Sequence, residues 1–203
     1  MMKALWIVLG TGVSFALGSI PFGFLITKRM GIDLRSQGSG NIGATNVART
    51  LGIRWALLVF LLDFLKGFAI PWSGKFFLPL GLEPFWQDSF CALAGLAAML
   101  GHCFSPWLGG KGGKGVATGT GVLAACLPQT LWVGIPVWIA LFFATRVVSI
   151  ASLGAAAAIL GASCFFYPGR VWLWGFSFLG TALVLWQHRP NLGRLLAGQE
   201  HRF

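Results

Sequence analysis

Residues 4–27 carry no charge, and Lys28-Arg29 closes the run. A helix crossing hydrocarbon needs roughly 20 apolar residues, so this stretch alone directs the chain toward a membrane. Comparable runs recur as far as Gln187. Charged residues make up 10% of the chain and hydrophobic ones 56%, against about 25% charged in a soluble domain. That leaves too little polar side chain to cover a globule, which excludes an ordinary cytosolic domain, a disordered tail and a DNA-binding module. The formal charge of +10 would by itself suggest nucleic acid. Here the cations sit between apolar runs, and no nucleic-acid partner is expected.

The runs divide into seven spans. The first is 4–27; a secretory signal cleaved after Gly18 is the alternative, but the apolar character continues to Ile26. The second, 55–72, is interrupted by Asp63 and Lys66, and the third is 89–108. Residues 115–145 are too many for one helix, and Pro128-Gln129 divide them into a short fourth span and a fifth. Residues 147–168 and 171–187 complete the set.

Seven spans place the N-terminus outside and the C-terminus inside. The inner side then holds Lys28, Arg29, Arg35, Arg49, Arg54, Lys111, Lys114, Arg146, Arg189, Arg194 and Arg202. The outer side holds Lys3, Lys75 and Arg170, with Lys66 inside the bilayer. This asymmetry obeys the positive-inside rule, and fusing the fourth and fifth spans would spoil it. The expectation is an all-α, polytopic integral membrane protein with seven transmembrane helices. It forms a single domain over 1–203, without internal repeats.

Several tryptophans, among them Trp6, Trp55, Trp72, Trp107 and Trp186, fall near span ends, where indoles anchor at the interface. Cys91, Cys103, Cys126 and Cys164 form no CxxC pair and read as free buried thiols. His102, His188 and His201 have no ligand partner at metal spacing, so no metal and no cofactor is expected.

Three polar segments fall on the inner face. The first runs Gly38-Ser39-Gly40-Asn41-Ile42-Gly43-Ala44-Thr45-Asn46 and on to Arg49. Its glycines let backbone N–H groups turn inward. Ser39, Asn41, Thr45 and Asn46 add neutral donors, and Arg49 offers a planar fork for phosphate. The competing reading is a polar turn. The second segment, from Gly109 through Lys111, Gly112, Gly113 and Lys114 to Gly115, resembles a phosphate loop in chemistry without being a Walker A sequence. Alone it is also readable as a flexible basic loop; beside the first it becomes a second phosphate contact. The third holds His188, Arg189, Pro190, Asn191 and Arg194, then Glu200. His188 is placed to act as general base or phosphate donor, and Glu200 to pair with a cation that holds the tail. Asp63 and Lys66, at i and i+3, share a helix face and can pair. They serve either as a structural pair or in direct contact with substrate. His102 reads as a helix-to-helix hydrogen bond.

Together these segments resemble the bacterial membrane glycerol-3-phosphate acyltransferases that use acyl phosphate, the PlsY family. The resemblance lies in Gly38 to Arg49, Asp63 to Gly67, Gly112 to Thr118, His188 to Asn191, and Glu200 to Phe203. It spans nearly the whole chain. Two departures are Leu192, where the family usually has Ile, and Pro190, which removes a backbone donor. The resemblance implies seven helices in a bacterial cytoplasmic membrane, with the site on the cytoplasmic side. It implies transfer of a fatty acyl group from acyl phosphate to the 1-hydroxyl of sn-glycerol 3-phosphate. Ser39, Arg49, His188 and Asn191 would be catalytic. Gly38, Gly40, Asn41, Thr45, Asn46, Gly112, Gly113, Lys114 and Gly115 would bind phosphate, with Asp63, Lys66, Lys111 and Glu200 in support. Partners would be the two substrates, membrane lipid and a soluble enzyme that makes acyl phosphate.

The residues suit that reaction. An acyl phosphate is already activated, so positioning and charge stabilisation can suffice, and the chain has no Ser/His/Asp triad or His-x4-Asp pattern. Direct attack without an acyl-enzyme is expected, with Ser39 as hydrogen-bond donor. Either His188 or the substrate's own phosphate takes the proton. Gly119, Gly121, Ala124 and Ala125 would pack helices closely or leave an acyl groove. An anion transporter and a non-catalytic scaffold are the competing functions. The first should carry its polar groups near the bilayer midplane, and the second leaves the Ser/Asn/Thr cluster idle.

Overall fold

A computed structural model describes residues 2–77 and 83–203, apart from the side chains of 75–77. The charge of Lys75 therefore lies outside the described residues. These residues form helices and connecting loops without a strand. The helices are α1 Met2–Gly18, α2 Phe22–Arg29, α3 Ala44–Leu51, α4 Ile53–Phe77, α5 Pro84–Cys103, α6 Val116–Cys126, α7 Leu131–Thr145, α8 Val148–Phe166, α9 Val171–Gln187 and α10 Arg189–Leu196. Among the described residues, four stretches are long and apolar enough to cross a membrane: Met2–Arg29, Pro84–Leu108, Pro128–Thr145 and Val148–Phe166. Val116–Cys126 and Val171–Gln187 are apolar but shorter.

The division at Pro128-Gln129 stands where the sequence suggested it, as a single tight turn between α6 and α7. The first span does not remain one helix. Pro21 has no N–H to continue the ladder, and the chain breaks between Gly18 and Phe22. The break turns carbonyls toward side-chain donors: Ser105 Oγ donates to Ser19 O at 2.6 Å and Lys66 Nζ to Ile20 O at 2.7 Å. The expected third span likewise ends early as a helix, at Cys103, and continues as the single turn Pro106–Leu108.

Small residues let the helices touch at backbone distance. A Cβ on Gly18 would lie 2.3 Å from the Ala98 carbonyl oxygen, and one on Gly101 2.4 Å from that of Phe15, so α1 and α5 meet with nothing between them. Gly67 and Gly121 do the same for α4 and α6, at 2.1 Å from Thr118 O and 2.0 Å from Phe64 O. Such contacts supply the packing that a lipid solvent does not.

The cysteines depart from expectation. Cys91 on α5 and Cys126 on α6 form a disulfide, with Cα atoms 6.0 Å apart. Cys103 is free and buried, and Cys164 is free but exposed on α8. Spacing along the chain carried no sign of the pair because α5 and α6 bring the two thiols together only after folding.

Candidate active site

The loop before α3 is built around one side chain. The Asn46 amide donates to the carbonyls of Gln37 at 2.9 Å and Leu34 at 3.3 Å, and its oxygen accepts from the Ser39 N–H at 3.0 Å. Gly38 and Gly40 take left-handed φ values of 54° and 69° to make the turn. Asn46 is thus committed to bracing the loop, and Ser39 is what the brace presents. Asn41 Oδ1 accepts from the Gly43 N–H at 2.9 Å, just ahead of α3. The first N–H groups of any helix have no partner within it, so the start of α3, around Ala44 and Thr45, presents unspent donors.

The glycine loop before α6 works differently from expectation. The N–H groups of Gly112 and Gly113 donate to the carbonyls of Cys103 and His102, both at 3.0 Å, at the end of α5. They close the loop on the helix, so these two N–H groups are spent on α5, while both residues still line a small cavity beside Lys114. A Cβ on Gly112 would fall 1.9 Å from His102 O, which is why glycine stands there. The donors left for an anion belong to the start of α6, after Gly115 at φ 81°. Lys111 is exposed on the loop.

These two helix starts meet across a cavity of about 600 Å³. Its polar end is lined by Ser39, Thr45, Arg49, Lys114, His188 and Asn191, with Asn41, Gly115 and Glu200 beside them. Beyond that end the wall is apolar, as at Phe64, Met99, Leu123, Ile135 and Phe176. A second cavity of about 170 Å³ adjoins it at Gly112, Gly113, Lys114, Asn191 and Arg194. Of the small residues in α6, Gly119 and Ala124 face the large cavity whereas Gly121 packs on α4. Gly38, Gly40 and Lys66 line neither cavity.

His188 follows α9 and starts α10, and its ring is 3% exposed. Its Nδ1 stands 2.8 Å from the Val184 carbonyl. A carbonyl only accepts, so Nδ1 carries the proton and Nε2 keeps a lone pair. Burial, helped by the charge of Lys114, holds the imidazole down at about 4, so it is neutral at pH 7. Pro190 sits in the first turn of α10, where its missing N–H costs nothing.

Burial also lowers the Lys114 ammonium, to about 8; Glu200 opposes this, while Arg194 and Arg49 add to it. Lys114 Nζ donates to Asn191 Oδ1, and the Asn191 amide donates to Glu200. Glu200 also accepts from Arg194 Nε at 2.8 Å and Ser149 Oγ at 3.1 Å. The cation expected to hold the tail is therefore Arg194. Burial works against ionisation of Glu200, but the bonds from Asn191, Arg194 and Ser149 outweigh it and hold the carboxyl below its ordinary range. Phe203 completes the strap: its N–H donates to Arg146 O at 2.9 Å, and its ring lies 4.7 Å from the Arg49 guanidinium. In sequence Arg194 stands in the third polar segment and Phe203 in the stretch that carries the resemblance, neither with a role in the site assigned to it.

Asp63 and Lys66 pair at 2.7 Å, and His102 Nδ1 stands 3.6 Å from the same Asp63 oxygen. Asp63 and His102 reach the cavity wall. Among the described residues no group of three or more His, Cys, Asp or Glu side chains is gathered as a metal site.

What the site offers is two helix N-termini, a lysine, an arginine and a neutral histidine at the head of an apolar cavity. Each helix start contributes about half a positive charge, so the head has the chemistry to hold a phosphate. Residues 8–198 match the family described as glycerol-3-phosphate acyltransferase. The chain belongs to that family. A glycerol-3-phosphate acyltransferase of Aquifex aeolicus (strain VF5) is 45% identical over 204 residues, covering 100% of both chains. One of Myxococcus xanthus (strain DK1622) is 44% identical and covers 94% of this chain and 96% of its own. Among solved structures, PlsY, an integral membrane glycerol 3-phosphate acyltransferase in its glycerol 3-phosphate form, superposes with a TM-score of 0.88 at 40% identity. The superposition covers 97% of this chain and 95% of that one. Its lysophosphatidic acid form gives a TM-score of 0.85 at 38% identity. The family, the fold and the apolar helices make this a multi-pass integral membrane acyltransferase.

Proposed function

We propose that this chain, as one acyltransferase domain over 1–203, transfers a fatty acyl group from acyl phosphate to the 1-hydroxyl of sn-glycerol 3-phosphate. The products are lysophosphatidate and inorganic phosphate. The observation that carries the reading is the meeting of the α3 and α6 N-termini with Arg49 and Lys114 at the head of an apolar cavity. Two phosphates need such a head, and one acyl chain needs such a cavity. At about 600 Å³ it falls in the range of roughly 300–1,000 Å³ that binds small molecules.

Lys114, Arg49 and the two helix starts hold the phosphates. Ser39 donates to the acyl carbonyl or to the departing phosphate. His188 Nε2 accepts the proton of the glycerol hydroxyl as that oxygen bonds to the carbonyl carbon. The carbonyl–oxygen bond to phosphate then breaks and inorganic phosphate leaves. His188 is a weak base in the empty site, and two phosphate anions arriving beside it raise its proton affinity. Asn191 keeps Lys114 in place.

The polypeptide crosses the bacterial cytoplasmic membrane seven times, with its N-terminus outside and the site facing the cytoplasm. Supporting this, Lys3 lies over Trp86 and Arg170 pairs with Asp88, all at the start of α5. Arg49, Lys114 and Arg194 gather at the polar head. A soluble enzyme delivers acyl phosphate to this face.

The deciding experiment incubates purified protein with labelled glycerol 3-phosphate and either palmitoyl phosphate or palmitoyl-CoA. Lysophosphatidate from the phosphate donor alone is the expected result. No product from either donor, in folded protein, would favour a transporter of phosphate esters.

A further inference from the structure

We infer that Asp63 and His102 form a buried positioning pair beneath the glycine loop, through which α4 and α5 set where Lys114 stands. The inference rests on the functional reading above. Asp63 is 2% exposed and His102 4%. A carboxylate so buried needs partners. Lys66 Nζ supplies one at 2.7 Å but is shared with the Ile20 carbonyl, also at 2.7 Å. The second group facing the carboxylate is His102 Nδ1, at 3.6 Å.

Turned this way, the imidazole directs its opposite edge at the loop. A Cβ on Gly113 would come within 2.1 Å of His102 Nε2. The Gly113 N–H is bound to the His102 carbonyl at 3.0 Å. His102 therefore seats the loop through both its backbone and its ring, and the next residue along is Lys114. Asp63 and His102 touch the cavity wall, but the Nε2 edge is occupied by Gly113, so the pair acts through the loop and not on substrate. Three buried polar side chains are costly to keep, and this arrangement gives them a task that helix packing alone would not require.

The test is a double-mutant cycle of His102→Ala and Gly113→Ala, with His102→Gln as the conservative variant. Each is assayed in detergent with glycerol 3-phosphate and palmitoyl phosphate. A loop displaced by a fraction of an ångström loosens one substrate. We expect each single variant to raise KM for glycerol 3-phosphate about tenfold, with KM for palmitoyl phosphate and kcat changed less than about threefold. The double variant should be no worse than Gly113→Ala, because the added methyl then enters the space left by the ring. His102→Gln, which keeps a polar side chain of similar reach facing Asp63, should recover most of the loss.

Additive effects, or a fall in kcat with both KM values unchanged, overturn the inference. Should His102→Ala not fold, Asp63→Asn asks the same question at nearly constant volume, and an unchanged KM for glycerol 3-phosphate overturns it. A wild-type chain that makes no lysophosphatidate overturns the functional reading and this inference together. An active wild type with additive variants overturns this inference alone.

Discussion

The Lys114 ammonium donates to the side-chain oxygen of Asn191, joining the glycine loop before α6 to the first turn of α10 across 77 residues of sequence. The bond fixes one cation at the meeting point of two helix starts. Burial leaves that cation easier to discharge than an exposed lysine, at about 8.

A pH window follows. Lys114 is charged below about pH 8 and loses its proton above it. A phosphate monoester loses its second proton near pH about 6. Affinity for glycerol 3-phosphate should therefore peak between these limits, and KM should rise as pH passes 8. Lys114→Arg should remove the alkaline limb, since guanidinium stays charged. Lys114→Ala should weaken binding about 10- to 100-fold, the equivalent of a hydrogen bond to a charged group at roughly 1.5–3 kcal/mol. Initial-rate measurements at fixed palmitoyl phosphate from pH 6 to 9.5 check all three.

His188 should separate from Lys114 in kinetics. Its Nδ1–H is held by Val184 O at 2.8 Å, so Nε2 is the atom facing chemistry. His188→Ala should lower kcat by about 10²–10⁴, the usual contribution of a positioned base, with KM for glycerol 3-phosphate moved only a few-fold. A large rise in that KM with kcat retained would make His188 a phosphate ligand instead.

These roles were unequally legible in the sequence. Uncharged runs and their flanking cations announce spans because burial in lipid tolerates little else, and the α6–α7 division at Pro128 was readable for that reason. The break at Pro21 carried the same kind of signal, but the apolar run continues across it and hides it. In the site, residue type pointed to phosphate while the division of labour stayed invisible. Asn46 lines the cavity and also braces the loop that presents Ser39, and Gly112 and Gly113 line the small cavity and also seat their loop on α5. The partner of His102 on α4 and the Cys91–Cys126 bond depend on contacts between distant elements. No local pattern encodes these.

Ser39 is presented by its loop, and among the described residues its hydroxyl makes no hydrogen bond to His188 or another base, which argues for a donor and not a nucleophile. Ser39→Ala should lower kcat by about 10²–10³, the effect of losing one transition-state donor. Acid-quenched wild-type enzyme incubated with labelled palmitoyl phosphate should carry no label on protein. Label on Ser39 would establish the covalent route.

The α4–α6 contact has no room for a side chain. A methyl at Gly121 would lie 2.0 Å from the Phe64 carbonyl oxygen, which is backbone and cannot rotate away. Gly121→Ala should cost about 1–3 kcal/mol, as overpacking does, and Gly121→Leu should prevent recovery of folded protein. Gly119→Ala meets only the flexible end of Met99, at 3.2 Å, and should be mild. Thermal unfolding of the three in one detergent ranks them.

Glu200 ties the tail to α8 and α10 through Ser149, Arg194 and Asn191. Glu200→Gln removes the charge that strengthens these bonds. At about 1.5–3 kcal/mol and a few degrees per kcal/mol for a chain of this size, it should lower Tm by about 5 °C at pH 7. Because the native carboxyl lies below its ordinary 4.5, its contribution is complete above that value and is lost as pH falls through the native one. The Tm gap between wild type and Glu200→Gln should hold steady from pH 7 to 6 and close under acid. A gap that persists unchanged below pH 3 would mean that Glu200 stabilises by packing rather than by charge.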